Sequence, residues 1–226
     1  MDKIKQLAIV KLKETNNILP PELEDAFSSV EFENERGLEI CSIEYLDNEL
    51  LFNFSFYLEE QEQLTKQFWQ LEVKGYRDCK IDIDNFGDFI TFYTEHNLLA
   101  EFNDTKTELY FRKAAENPEK LLANIYELHT IVFDNLIPIE KYLHGRQLLT
   151  LCKSDSGLFA KGPKSILKYY FDNLQKAGKE PYFFGETKPK YWDGEKWIEE
   201  NDHLKLALIG GTYFIGQEFK FKKLDK

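Results

Sequence analysis

The chain has 226 residues, a formal net charge of −11, 42% hydrophobic and 15% aromatic side chains, and a pI near 5.0. That is enough apolar material for one large packed domain or two small ones without disulfide or metal staples. The acidity and the lack of a basic stripe with interleaved aromatics argue against a nucleic-acid partner, and no apolar run approaches the roughly 20 residues that span a bilayer.

Residues 3–15 place Ile4, Leu7, Ala8 and Lys11 or Leu12 at helical spacing, which predicts a short amphipathic helix with a basic outer face. No apolar signal core followed by small residues stands at the start, so a cytoplasmic location is expected. From Glu14 to Thr65, fourteen acidic residues stand against Arg36 alone, a local charge of −13. A field this concentrated concerns partners and solubility rather than fold.

Pro20-Pro21 breaks the chain, and Pro21 is suited to start a brief helix through Phe27. Leu38 to Leu46 and Glu49 to Leu58 then read as a hairpin turning at Asp47-Asn48, a pair that tolerates positive φ. This register sets Tyr45 against Leu50, Ile43 against Phe52, Cys41 against Phe54 and Glu39 against Phe56, and so defines a core face. Gln67 to Tyr76 and Cys79 to Asp84 read as further strands, giving an antiparallel meander.

Phe89 to Phe102 fits strand or helix by its apolar run and is read as strand up to Tyr93, and Thr107 to Arg112 alternates cleanly as another strand. The clearest helix follows, with Asn117 as N-cap, Pro118 at its first position, and Leu121, Leu122, Ile125, Leu128 and Val132 down one side. Pro138 to Leu151 also looks helical. Gly157 to Pro163 reads as a flexible connection, and Lys164 to Ala177 as a second amphipathic helix ended by Gly178. Strands are expected at Tyr182 to Phe184, Leu204 to Ile209 and Thr212 to Phe221, with a tight hairpin at Asp193-Gly194 whose two-residue turn opposes Lys190 to Trp197.

The expected class is α+β: an antiparallel meander with packed helices, and a C-terminal part of helix plus β-hairpin. Residues 153–226 carry 14 basic and 11 acidic side chains. That shift permits an acidic domain over 1–150 and a second part over 151–226, with a soft boundary near 145–160, or one continuous domain.

Few residues carry a chemical signal. Cys41, Cys79 and Cys152 are widely spaced with no C-x-x-C pair, and read as buried apolar residues. The run from Gly157 through Lys161, Gly162 and Pro163 to Lys164-Ser165 departs from a phosphate loop by an inserted proline, which shifts the lysine and removes an N–H donor. A helix start bearing Lys161 and Lys164 would still attract an anion through its dipole. Asp82-Ile-Asp84-Asn85-Phe86-Gly87 opens like a calcium loop, but Phe86 and Tyr93 occupy positions that need side-chain oxygens. No metal or cofactor is expected. His129 lies on the apolar stripe of the 118–133 helix, as a hydrogen-bonded core histidine or part of a site. Trp192 and Trp197 share one face of their hairpin, either capping the core or serving as an aromatic anchor.

His96-Asn-Leu-Leu99, Glu108-Leu-Tyr-Phe111, Asn117-Pro118 with Tyr126-Glu-Leu-His129, and Gly157 to Pro163 resemble segments of uncharacterised bacterial proteins, some of the immunity type that neutralise toxins by direct binding. The resemblance implies a bacterial binding protein and carries over no catalytic residue. The leading expectation is a non-enzymatic protein-binding module for a basic partner, using Glu31, Glu33, Glu35, Glu44, Glu49, Trp192 and Trp197. Two alternatives stand beside it. One is a small-molecule site between the two parts lined by His129, Lys161, Lys164 and Tyr170; the other is a structural subunit of a larger assembly.

Overall fold

The computed structural model describes residues 13–14, 18–29, 31–32, 37–60, 63–84, 86–133, 136–143, 148–200 and 203–225. The helix expected over 3–15 lies outside these residues except for Lys13–Glu14, which is a short strand, β1. In chain order there follow α1 (Pro21–Ser28), β2 (Glu39–Leu46), β3 (Glu49–Glu60), β4 (Gln63–Lys74), β5 (Asp78–Lys80) and β6 (Thr91–Glu95). Next come α2 (Ala100–Asn103), β7 (Lys106–Phe111), α3 (Pro118–Phe133), α4 (Leu148–Lys153), β8 (Gly157–Pro163), α5 (Lys164–Lys176) and β9 (Pro181–Thr187). The hairpin β10 (Lys190–Trp192) and β11 (Trp197–Glu199) precedes β12 (Lys205–Ile209), β13 (Thr212–Gly216) and β14 (Glu218–Leu224). The class is α+β, and among the described residues every strand pair is antiparallel.

The chain forms two compact units: one holds Asn97–Asn201, the other Leu12–His96 with Asp202–Lys226. The boundary expected near 145–160 therefore falls inside the first of these. The reason is strand pairing across long separations, since β12 pairs with β6 and β14 pairs with β4.

The unit with both discontinuous segments is a two-sheet β-structure, with sheet orders β1-β6-β12-β13-β5 and β14-β4-β3-β2. Its centre is β3. Strand alternation sends Leu50, Phe52, Phe54, Phe56 and Leu58 to one face, and all five are buried. Phe52 meets Phe214 of the other sheet with ring centroids 4.9 Å apart, and Phe92 meets Phe219 at 5.3 Å. The α1 helix covers one end through Leu23, Ala26 and Phe27, the last 5.3 Å from Phe56. Each fully buried phenylalanine contributes about 1.5–3 kcal/mol of transfer free energy.

The β2–β3 hairpin turns at Asp47-Asn48 with Tyr45 opposite Leu50 and Ile43 opposite Phe52, as expected, but a bulge then intervenes. Ile40, not Cys41, opposes Phe54, and Glu39 opposes Ser55 rather than Phe56. The extra residue lets the more apolar Ile40 pack on the core and leaves Cys41 exposed. Cys79 is half-buried and only Cys152 is buried, so the expectation of three core cysteines holds for one.

In the unit of 97–201, β8, β7 and β9 form a three-stranded sheet with β7 in the middle. Thr107, Leu109 and Phe111 face inward; α5 packs on this sheet and α3 packs on α5, their buried sides carrying Leu121, Ile125, Leu128, Ile166, Leu167 and Tyr170. The N-cap of α3 is as expected: Asn117 Oδ1 accepts from the Lys120 N–H at 2.9 Å. The supposed flexible connection Gly157–Pro163 is instead β8, because Leu158-Phe159-Ala160 supplies a short apolar edge strand for β7. Among the described residues of the expected helix Pro138 to Leu151, Ile139–Lys141 is a 3₁₀ turn, Leu143 bridges to Ala160, and Leu148 opens α4.

Gly178, at φ 78°, ends α5, and Glu180 follows at φ 49°, an unusual conformation for a non-glycine residue. Between them Lys179 points inward and is 0% exposed. Its ammonium donates to the carbonyls of Leu151 (3.0 Å), Cys152 (3.0 Å) and Ser154 (2.8 Å) at the end of α4, and lies 3.9 Å from the Phe111 ring centroid. One cation thus satisfies terminal helix carbonyls and fixes α4 to β7. Lys179→Met should destabilise this unit by about 3 kcal/mol, since three buried acceptors lose their donor. Urea unfolding with amide exchange at α4 checks it, and protection of α4 unchanged from wild type would contradict it.

Candidate functional site

Four residues were expected to line a pocket between two parts of the chain: His129, Tyr170, Lys161 and Lys164. All four belong to the unit of 97–201, and they do not converge. His129 and Tyr170 are buried on the facing sides of α3 and α5. The Tyr170 hydroxyl lies 2.7 Å from His129 Nδ1, and His129 Nε2 lies 2.8 Å from the Ile137 carbonyl. Burial drives the Tyr170 pKa well up and the His129 pKa down. The phenol therefore donates to Nδ1, and the Nε2–H of a neutral ring donates to the carbonyl. The space around the pair, lined by Leu128, Val132, Phe133, Ile166 and Tyr169, does not admit a water-sized molecule. This is a satisfied core pair.

Lys161 and Lys164 lie at the sheet, and each meets a carboxylate. Lys161 Nζ is 2.7 Å from Glu108, whose pKa it lowers, and Lys164 Nζ is 2.5 Å from Glu186. The start of α5 is occupied as well: Asp104 Oδ2 accepts from the Ser165 N–H at 2.5 Å. The anion that the helix dipole favours is thus supplied by the protein itself. A shallow cleft of about 320 Å³ lies beside these pairs, and another of about 500 Å³ lies between α3 and α5 near Glu127, Lys168 and Asp172. Among the described residues, no group of three or more His, Cys, Asp or Glu could hold a metal ion, and no helix is long and apolar enough to cross a membrane.

Of the acidic candidates, Glu33 and Glu35 lie outside the described residues. Glu31 and Glu44 are exposed. Glu49 lies 3.7 Å from Lys74, Glu39 lies 2.6 Å from Lys66, and Glu22 bonds Lys223. The acidic run in sequence is thus partly neutralised in space by lysines of β4 and β14. The unit that contains it is nonetheless strongly negative. Residues 12–96 with 202–226 hold 23 acidic and 11 basic side chains, against 16 and 15 in residues 97–201.

The tryptophan hairpin differs from the expected register. Trp192 opposes Trp197 directly, Tyr191 opposes Ile198 and Lys190 opposes Glu199, because four residues form the loop. Asp193 holds that loop by accepting from the Glu195 and Lys196 N–H groups at 2.9 and 2.7 Å, bonds that lower its pKa. The two indoles, 5.8 Å apart and tilted by 64°, are 53% and 65% exposed. They cap no core.

A second exposed aromatic group was not anticipated. On the outward face of the three-stranded sheet Tyr110 stacks on Tyr182 at 5.7 Å, Arg112 lies over Tyr182 at 4.5 Å, and Phe184 is 64% exposed. The alternation in TELYFR carried the signal, since Tyr110 and Arg112 must share the face opposite Leu109 and Phe111.

No family model, curated protein or solved structure matches the chain.

The His129 geometry sets a pH dependence. Below pH 6.5 the unfolded chain takes up a proton that folded His129 refuses until its own lower pKa is passed, so stability present above 6.5 is lost across that window. Melting temperatures from pH 7.5 to 4.5 should fall, and His129→Phe should reduce the slope without abolishing it, because burial also holds His96 at about 4. An identical slope in the variant would contradict this.

Proposed function

We propose that this chain is a non-enzymatic protein-binding module, of the kind that neutralises or tethers a basic protein in the cytoplasm. Trp192 and Trp197 are its anchor. The observation that carries this reading is the solvent exposure of two tryptophans held edge to face by a structured loop. Indoles bury large areas at small entropic cost, and such residues dominate binding hot spots. Negative charge supplies the second element: Glu31 and Glu44 stand exposed on a unit with a marked acidic excess, which steers a basic partner into encounter. Three polar groups of a kind suited to catalysis are committed to structure. His129 and Lys179 are bonded within the core, and burial pushes the Cys152 thiol up to about 11. Three free cysteines accord with a reducing compartment.

Trp192→Ala with Trp197→Ala should weaken partner capture about 30-fold or more, the loss of about 2 kcal/mol or more expected on removing a hot-spot residue. Glu44→Lys should slow association and flatten its dependence on salt. Affinity chromatography at low and high salt with identification of the bound protein measures both, and a double tryptophan variant that binds like wild type removes the hairpin from the interface.

A further inference from the structure

The four-stranded sheet has two edges of opposite charge. At one end lies β2, whose outward face carries Glu39, bonded to Lys66, with Ser42 and the exposed Glu44; at the other lies β14, whose same face carries Lys220, bonded to Glu218 at 3.3 Å, and Lys222. Among the described residues no strand pairs with the far side of either. The lengths match, at eight and seven residues. Each edge also leaves core side chains incompletely covered: Ile40 and Ile43 at β2, and Phe221 at β14.

Strand direction adds a topological condition. Four successive antiparallel strands make β2 and β14 run in opposite directions. A second copy displaced along the sheet, without being turned over, brings its β2 antiparallel to β14 of the first and keeps the outward faces on one side. The hydrogen-bond ladder continues without a change of type. Like edges do not match in this way. Pairing β2 with β2 sets glutamates beside glutamates, and β14 with β14 sets lysines beside lysines, the charge placement that guards edges against self-association. The unlike pair sets Glu44 of β2 against the lysines of β14.

The geometry points to a second copy of this chain as the occupant of the β2 edge, joined head to tail through its β14. The contact is heterologous, so it propagates instead of closing on a dimer, and the twist between strands turns each copy relative to the last. It does not depend on the role assigned to the tryptophan hairpin.

The test uses the full chain in sedimentation velocity over a concentration series at low and high salt. Wild type should gain mass with concentration and lose it as salt rises. Ser42→Lys with Glu44→Lys makes both edges basic, and Lys220→Glu with Lys222→Glu makes both acidic; each variant should associate roughly tenfold or more weakly. An equimolar mixture of the two restores unlike edges and should regain the wild-type mass distribution, a result that misfolded variants could not give. Trp192→Ala with Trp197→Ala should leave self-association unchanged. A monomeric wild type at low salt, a mixture no heavier than its components, or association lost only in the tryptophan variant would overturn the assignment.

Discussion

The constraint on which one unit depends is the period of two in β3. Five apolar side chains on alternate positions commit that strand to a buried face, and everything around it supplies cover. β2 and β4 extend the face sideways, α1 closes an end, and Phe92, Ala207, Ile209 and Phe214 come from the opposing sheet. Even the bulge at Cys41 follows from it, since an uninterrupted register would spend an inward position on a thiol where Ile40 serves better. In the unit of 97–201 the corresponding role falls to a charge. Lys179 is fully buried, with three carbonyls and an aromatic face surrounding its ammonium, and that arrangement ties two helices and a strand to one side chain.

The two sets of exposed features differ in their physics. Indoles of Trp192 and Trp197 offer area and rigidity, so they suit a short-range contact. The charges on β2, β4 and β14 act over longer distances but are compensated among themselves, as Glu39 with Lys66 and Glu49 with Lys74 show. What remains of the acidic field is a property of a whole unit rather than of one stretch of sequence. The shared chemistry of Glu108, Lys161, Glu186 and Lys164 follows the same rule of local neutralisation.

Local signals were legible and long-range ones were not. Asn117-Pro118, the stripe from Leu121 to Val132, and Gly178 each depend on residues within one helix, and each is read directly from spacing. The turn at Asp47-Asn48 is equally local. By contrast, Lys223 meets Glu22 across 201 positions, and no periodicity announces it. The same distance hides the pairing of β12 with β6 and of β14 with β4, and so the membership of the two units. Trp192 and Trp197 were correctly placed on one hairpin, but a turn of two residues and a loop of four look alike in Asp193-Gly194-Glu195-Lys196. Exposure then depends on what the rest of the chain covers, which composition does not encode.

The division of the chain has a consequence for its synthesis. Residues 97–201 leave the β-structure after β6 and return at β12, and these two strands are hydrogen-bonded neighbours. The inserted unit is therefore complete while the surrounding one still lacks β12, β13 and β14. At ribosomal speeds of about 5–20 residues per second, the phenylalanine row of β3 waits roughly 10–30 s for its opposing sheet. β2 and β3 are made before the residues of the inserted unit and β12, β13 and β14 after them, so the buried row of Phe52, Phe54 and Phe56 is formed well ahead of the strands that cover it.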